Sequence, residues 1–102
     1  MSRPRIRYSA AAEADIRSIA QWIARQSLRA AHRWIDELDA RLEKIAAVPG
    51  IGTDRSDLRP GLRTYAFGNY LIFFKSIRGG IVVVRVLHGA RDYSILFRSP
   101  GS

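Results

Sequence analysis

The spacing of apolar residues changes from a helical to a strand period about halfway along this 102-residue chain. The first half has two stretches with apolar residues at every third or fourth position, which is typical of amphipathic helices. The second half has three short runs rich in β-branched and aromatic residues, separated by turns that contain glycine. This order predicts two helices packed on a sheet, an α+β architecture.

We predict that the two helices form an antiparallel hairpin, because only residues 25–27 interrupt the helical pattern. Ser9 and Ser27 are candidate N-caps, and Pro49-Gly50 ends the second helix. The apolar stripes consist of Ala12, Ile16, Ile19, Ala20 and Ile23 in the first helix, and of Ala31, Trp34, Ile35, Leu38, Leu42, Ile45 and Ala46 in the second.

Four strands are predicted around these helices, in the order β-α-α-β-β-β, as a mostly antiparallel four-stranded sheet. Gly68-Asn69 is typical of a two-residue hairpin turn between the second and third strands. Asp92 is a candidate cap for a short helical turn over residues 93–97. The strands are expected at residues 5–8, 62–67, 70–75 and 81–88, and residues 49–61 are expected to form a loop.

The two-residue turn also predicts which side chains share a face of the sheet. Two helices cover only one face, yet both faces of this hairpin are largely apolar. The other face must therefore be covered by the tail, by a second copy of the chain or by another protein. The predicted pairs are Phe67 with Tyr70 and Tyr65 with Ile72 on one face, and Ala66 with Leu71 and Thr64 with Phe73 on the other.

Length and composition favour one small, soluble, cytoplasmic domain over residues 1–102, with a flexible tail at about 98–102. The chain has no apolar run of membrane-spanning length, and its N-terminus has no apolar segment typical of a signal peptide. It has 17 lysine and arginine residues against 9 acidic ones, a formal net charge of +8. The excess lies outside the helices and predicts a partner that is nucleic acid or an acidic protein.

Several kinds of chemistry find no support in the sequence. Cysteine is absent and the two histidines, His32 and His88, are far apart, so we predict no metal site. Neither a nucleophile elbow nor a glycine-rich phosphate loop is present, and no cofactor is expected. Trp22 and Trp34 flank the helical stripes, where each either packs at the edge of the core or anchors a partner.

The ordered set of motifs over residues 6–92 resembles the RelE/ParE superfamily of bacterial toxin–antitoxin systems, and its ParE branch in particular. The segment from Val84 to Asp92 is the most distinctive part of this resemblance. The superfamily's β-α-α-β-β-β fold agrees with the fold predicted above. The other matching segments are Tyr8-Ser9, Ala14-Asp15-Ile16, Trp22-Ile23-Ala24, Pro49-Gly50-Ile51-Gly52, Asp57-Leu58-Arg59, Gly61-Leu62-Arg63 and Tyr70-Leu71-Ile72-Phe73-Phe74.

The resemblance implies one of two activities. RelE-like members cleave mRNA on the ribosome with cations around the phosphate and a C-terminal proton-transfer residue. Arg63 and Arg91 keep two of the basic positions and would be the catalytic residues of such a ribonuclease. Tyr65, Leu71 and Phe97 stand where a lysine, an arginine and a tyrosine are expected, so most of that set is missing.

ParE-like members, in contrast, are inhibitors of DNA gyrase rather than enzymes, and an antitoxin of the ParD kind neutralises them. We therefore expect a gyrase-directed toxin; a RelE-like ribonuclease and a basic nucleic-acid-binding module remain the alternatives. The expected gyrase contacts are Arg91, Asp92, Tyr93 and Arg98, and the expected antitoxin contacts are Trp22, Trp34, Arg63, Tyr65 and Arg85.

Overall fold

The computed structural model describes residues 3–48, 50–89 and 97. It confirms the predicted α+β architecture with a helical hairpin on a mostly antiparallel sheet. The predicted helical turn, apart from Phe97, and the predicted tail lie outside the described residues. The elements are β1 (Arg5–Tyr8), α1 (Ala10–Ala24), α2 (Leu28–Ala47), β2 (Thr53–Asp54), β3 (Arg63–Phe67), β4 (Tyr70–Ile77) and β5 (Gly80–His88).

Both helices begin at the predicted serine caps. The hydroxyl oxygen of Ser9 accepts a hydrogen bond from the Ala12 amide at 3.0 Å, and Ser27 does the same for Ala30 at 3.1 Å. The Ser9 hydroxyl also donates to the carbonyl of Val84 at 2.7 Å. The first cap therefore fixes the start of α1 to the middle of β5.

The strands form one sheet in the order β1-β5-β4-β3-β2, with β1 parallel to β5 and the other neighbours antiparallel. The pairing predicted for the β3–β4 hairpin is confirmed. The sheet has five strands rather than the four predicted, because Thr53 and Asp54, in the predicted loop, pair with β3. Gly52, at φ 86°, lets the chain turn into this position, where a β-carbon would collide with the Thr64 carbonyl.

A β-bulge interrupts the pairing of β4 with β5. Phe73 pairs with Arg85 and Phe74 with Val83, so Val84 is the extra residue. The Val84 carbonyl accepts the hydrogen bond from the Ser9 hydroxyl described above. Arg85 lies two residues beyond Val83, the last residue of β5 that pairs with β1.

Hydrophobic cores lie on both faces of the sheet. The larger one, between sheet and helices, includes Leu38, Leu42 and Phe74. On the second face, Phe97 and residues of the loop between β2 and β3 pack against the sheet, and the part played by this loop was not predicted. Its core contains Leu62, Phe73, Val84, Leu87 and Phe97, with Leu58 and Leu71 packed against it.

Candidate functional site

Asp15 and Arg85 form a partly buried ion pair between α1 and β5. Nε of Arg85 donates to one carboxylate oxygen of Asp15 at 2.7 Å, and Nη2 donates to the other at 2.9 Å. The Val86 amide donates to the same carboxylate at 3.0 Å. The hydrogen bonds from Arg85 to Asp15 raise the pKa of Arg85 above its usual value. The guanidinium of Arg85, predicted to bind an antitoxin, is therefore engaged in holding α1 on the sheet.

Arg63 is also engaged within the chain. Its Nη2 donates to the carbonyls of Gly50 at 2.6 Å and Gly52 at 2.9 Å, and its Nε donates to that of Ile51 at 3.0 Å. These bonds fix the chain that enters β2 against β3. A substrate phosphate could bind Nε or Nη2 of this guanidinium only by displacing carbonyl oxygens.

Aromatic side chains at the end of the β3–β4 hairpin pack under α2. The ring of Trp34 lies 5.7 Å from that of Phe67 and 5.6 Å from that of Tyr70, measured between centroids. Arg41 lies over Tyr65 and Phe67, with its guanidinium carbon 5.7 Å and 5.3 Å from the ring centroids. Arg41 Nη1 also donates to the Ala66 carbonyl at 2.9 Å. Trp34 and Tyr65 are thus half-buried parts of the fold with limited surface for a partner.

Trp22 has a different environment from Trp34. It is 54% exposed near the end of α1, and Leu28, at the start of α2, is 64% exposed. An exposed tryptophan is the type of residue that anchors protein partners. Of the two tryptophans, Trp22 is the one that presents a large apolar surface to solvent.

An open groove of about 500 Å³ runs between α1 and α2 on the helical side of the molecule. Burial, with a smaller effect from Asp39, raises the pKa of Tyr8 at one end of it. Burial and the neighbouring carboxylates of Asp36 and Glu43 raise the pKa of Asp39 itself. The groove combines an apolar floor with a charged rim, and it is lined by Tyr8, Glu13, Ile16, Arg17, Ala20, Gln21, Ile35, Leu38 and Asp39.

Phe97 is only 6% exposed, and its ring lies 4.9 Å from that of Phe73 between centroids. The guanidinium carbon of Arg59 lies 5.0 Å from the centroid of the Phe97 ring. The residue that replaces the expected proton-transfer tyrosine therefore packs into a core. The predicted target contacts Arg91, Asp92, Tyr93 and Arg98 lie outside the described residues.

Within the described residues, no group of three or more histidine or acidic side chains is arranged to hold a metal ion. His32 is exposed on α2, and the ring of His88 lies 5.6 Å from that of Tyr70 between centroids. None of the helices in this part of the chain has the length and apolar character required to cross a membrane.

The comparisons with known proteins place this fold and these residues in one family. The family model described as "ParE toxin of type II toxin-antitoxin system, parDE" matches residues 6–93, which include α1, α2 and strands β2 to β5 and all but the first residue of β1. The chain belongs to the ParE toxin family. The resemblance drawn from its motifs is thereby confirmed.

Individual ParE toxins align with parts of this ParE-family chain. It is 31% identical over 62 residues to Toxin ParE3 of Caulobacter vibrioides, and 36% identical over 63 residues to Toxin ParE1 of Mycobacterium tuberculosis. Both alignments cover 61% of this chain, and they span 62% and 64% of the two relatives. Toxin ParE1 of Caulobacter vibrioides is 34% identical over 83 residues, covering 80% of this chain and 85% of the relative.

A solved structure shares the ParE fold. A chain of the chromosomal ParDE TA system from P. aeruginosa superposes with a TM-score of 0.62, covering 84% of this chain and 96% of that one. The sequence identity is 20%, so the likeness concerns the fold alone.

Motif analysis missed the contacts that Asp15 and Arg41 make. Asp15 lies in one of the segments that resemble the family, but its partner Arg85 is 70 positions away, and the register that joins them depends on the bulge at Val84. Arg41 belongs to the polar face of α2, and no local pattern indicates that its guanidinium reaches the carbonyl of Ala66.

Proposed function

We propose that this ParE-family chain is the toxin of a type II toxin–antitoxin pair, and that it inhibits DNA gyrase and thereby blocks replication. A ParD-like antitoxin neutralises it, and loss of that antitoxin arrests growth, which is how such pairs stabilise plasmids. The observation that carries the proposal is the family-model match over residues 6–93. A gyrase inhibitor acts in the bacterial cytoplasm, which is therefore the proposed location.

The proposed toxin acts by binding and not by catalysis. Cleavage of RNA requires cations that converge on one phosphate and a group that transfers a proton. Arg63 bonds to three backbone carbonyls, and Phe97 is a buried hydrocarbon ring. Leu71, at a position where a ribonuclease has a cation, packs against the second core. These three environments support an inhibitor over a RelE-like ribonuclease.

The antitoxin is proposed to bind the helical side of the molecule. An amphipathic segment can place apolar side chains in the groove between α1 and α2, over Ile16 and Ile35. Arg17 at the rim is available to pair with antitoxin carboxylates. Trp22 is exposed on α1 and supplies an apolar anchor close to the end of that helix.

In this proposal, the other predicted antitoxin contacts stabilise the surface that the antitoxin binds. Arg63 holds the segment that enters β2, and Arg85 holds α1 on β5. Trp34, on α2, and Tyr65, on β3, pack against the larger core. In this proposal they shape the surface that the antitoxin meets, while Trp22 makes the direct contact.

Gyrase is proposed to contact the segment that follows β5 and extends to Arg98, the residue after Phe97. Two described residues lie near the ends of this segment: the Gly89 amide donates to the Asn69 carbonyl at 2.8 Å, and Phe97 packs on Phe73. The contacts themselves remain predictions, and they are Arg91, Asp92, Tyr93 and Arg98.

A supercoiling assay with purified gyrase and relaxed plasmid tests the proposal. Micromolar toxin is expected to reduce the supercoiled product and to accumulate cleaved DNA, and equimolar antitoxin is expected to restore supercoiling. Arg91→Ala is expected to weaken inhibition, whereas Arg29→Ala, which removes an exposed arginine from α2, leaves it unchanged. Normal supercoiling at micromolar toxin would contradict the proposal. Cuts at defined codon positions in translated mRNA would identify a RelE-like ribonuclease instead.

A further inference from the structure

Three cations share the outer face of the sheet, the face that points away from the helices, near one end of β5. Arg7 pairs with Val82 on one side of β5, and Lys75 pairs with Val82 on the other. Directly paired residues project to the same face, and so do residues two positions apart on a strand. Arg5 therefore projects with Arg7, while Ile6 between them packs against the helix-side core. Arg5, Arg7 and Lys75 are referred to below as the cationic row.

The cationic row is regular because the sheet sets its spacing. Arg5 and Arg7 are about 7 Å apart along β1, and β1 and β4 are about 10 Å apart because one strand separates them. Arg5 and Arg7 are exposed and Lys75 is half-buried. Arg78, directly after β4, adds a fourth exposed cation at the same end of the sheet.

No acidic residue in the described part of the chain neutralises the cationic row. The ion pairs found there are Arg55 with Asp57 and Arg85 with Asp15. Six of the eight acidic residues in the described ranges lie on α1 and α2, against the opposite face. The other two, Asp54 and Asp57, lie in and after β2, at the far edge of the sheet from β1.

The composition of this surface indicates what kind of anion it fits. A peptide partner needs large apolar anchors, but the exposed ones among the described residues are Tyr8, Trp22, Leu28 and Val48, which lie on the helices or face them. A single nucleic-acid strand binds by stacking its bases on exposed aromatic rings. The described aromatic residues of the outer face, Phe73 and Phe97, are buried. Duplex DNA needs neither apolar anchors nor exposed aromatic rings, because cations can bind its phosphates, which carry one charge per roughly 1.7 Å of helix axis.

We propose that the cationic row binds the phosphate backbone of duplex DNA without sequence preference. Each cation displaces counterions from the duplex, so binding depends steeply on salt. This interaction is a property of the isolated toxin and does not depend on gyrase. It would hold the toxin on the same DNA molecules that a DNA-bound target occupies.

Fluorescence anisotropy with a labelled 20-base-pair duplex and the purified full chain tests this surface. With about four phosphate contacts, affinity is expected to fall on the order of a hundredfold between 50 and 200 mM salt. The triple variant Arg5→Ala, Arg7→Ala, Lys75→Ala is expected to bind more weakly at low salt and to lose only about threefold over the same range. Far-ultraviolet circular dichroism verifies that the variant is folded.

The matched control removes the same charge from the helical side. Arg25→Ala, Arg29→Ala, Arg33→Ala changes three exposed arginines at the helix connection and on α2, and it is expected to retain the affinity and salt dependence of the unmodified chain. Equal weakening in both triple variants would overturn the proposal, since binding would then follow net charge alone. Tighter binding to a single strand than to the duplex, or no salt-dependent binding, would also overturn it. Gyrase inhibition is measured separately, so failure of either proposal leaves the other open to its own test.

Discussion

Asp15 accepts three hydrogen bonds from two consecutive residues of β5. Its side chain is 14% exposed and that of Arg85 is 23% exposed. The Val86 amide would otherwise lie at the strand edge where β1 has ended. Loss of this carboxylate leaves a half-buried guanidinium without its counter-charge.

Asp15→Asn is therefore expected to lower the free energy of unfolding by about 2–3 kcal/mol, because a partly buried charged hydrogen-bond network is broken. Urea denaturation measures the change. Asp57→Asn, which breaks the exposed pair with Arg55, is the control and is expected to leave stability almost unchanged. Similar losses in the two variants would show that burial of the Asp15 pair adds nothing.

Asp39 lies beside other carboxylates, whereas Asp15 is paired with a cation. Burial at the groove between α1 and α2, together with Asp36 and Glu43, raises the pKa of Asp39. A carboxyl group with a raised pKa in the folded state destabilises the fold when it is charged. The penalty is complete above the folded-state pKa and disappears as the pH falls below the ordinary value of about 3.9.

Asp39→Asn is expected to raise Tm by about 1–2 °C at neutral pH, a small effect because solvent screens this site. The difference from the unmodified chain is expected to vanish below about pH 4. Calorimetric scans between pH 3 and pH 7 measure it. Glu37→Gln removes one negative charge from the same helix and serves as the control. A gain in stability that persists at pH 3 would mean that packing, rather than charge, causes it.

At the scale of elements, the outer face of the sheet depends on a cover made from distant parts of the chain. Leu58 and Leu62 come from the loop after β2, and Phe97 comes from beyond β5. Phe97 contacts Phe73 below it and Arg59 beside it. The aromatic ring thus joins the end of the chain to the loop and to the centre of β4.

Phe97→Ala is expected to lower the free energy of unfolding by about 2–4 kcal/mol, because a buried ring is replaced by a cavity. Chemical denaturation measures the loss, and increased binding of a hydrophobic dye reports exposure of the outer face. Phe97→Leu keeps most of the apolar volume and is expected to lose less than half as much. Unchanged stability in Phe97→Ala would mean that the loop alone covers this face.

Local patterns predicted most of these elements, since caps, helical stripes and two-residue turns involve residues close in sequence. Ser9, Ser27 and Gly68-Asn69 have the predicted structural roles. The features that were missed depend on distant residues. Strand β2 has only two residues, and it forms because Gly52 and Arg63 hold it on β3.

The candidate site was less predictable than the fold for the same reason. Arg63 and Arg85 lie in segments that resemble family motifs, but a motif does not show what a guanidinium binds. Their partners, the loop carbonyls at 50–52 and Asp15, become neighbours only after β3 and β5 have joined the sheet. The sequence likewise did not determine which of the two tryptophans is exposed. Only the positions of the helices show that Trp22 is exposed and that Trp34 is packed.

At the scale of the whole molecule, the exposed apolar surface and the cationic row lie on opposite faces. The helical side presents the groove and Trp22 together with most of the acidic residues, whereas the outer face of the sheet presents the cationic row. Two surfaces of different chemistry allow two partners to bind at once without competition. An antitoxin on the helices would then leave the cationic row accessible.

This separation leads to a prediction about the two tryptophans. Trp22→Ala is expected to weaken binding of the cognate antitoxin by about 2 kcal/mol, roughly thirtyfold in Kd, because an exposed apolar anchor is lost. It is expected to leave Tm unchanged, since the side chain is 54% exposed. Trp34→Ala is the counterpart: its ring packs on Phe67 and Tyr70, so it is expected to lower Tm. Isothermal titration calorimetry and thermal denaturation of both variants separate the two effects. If Trp22→Ala binds the antitoxin as tightly as the unmodified chain, the antitoxin does not use the exposed end of α1, and the proposed interface has to lie elsewhere.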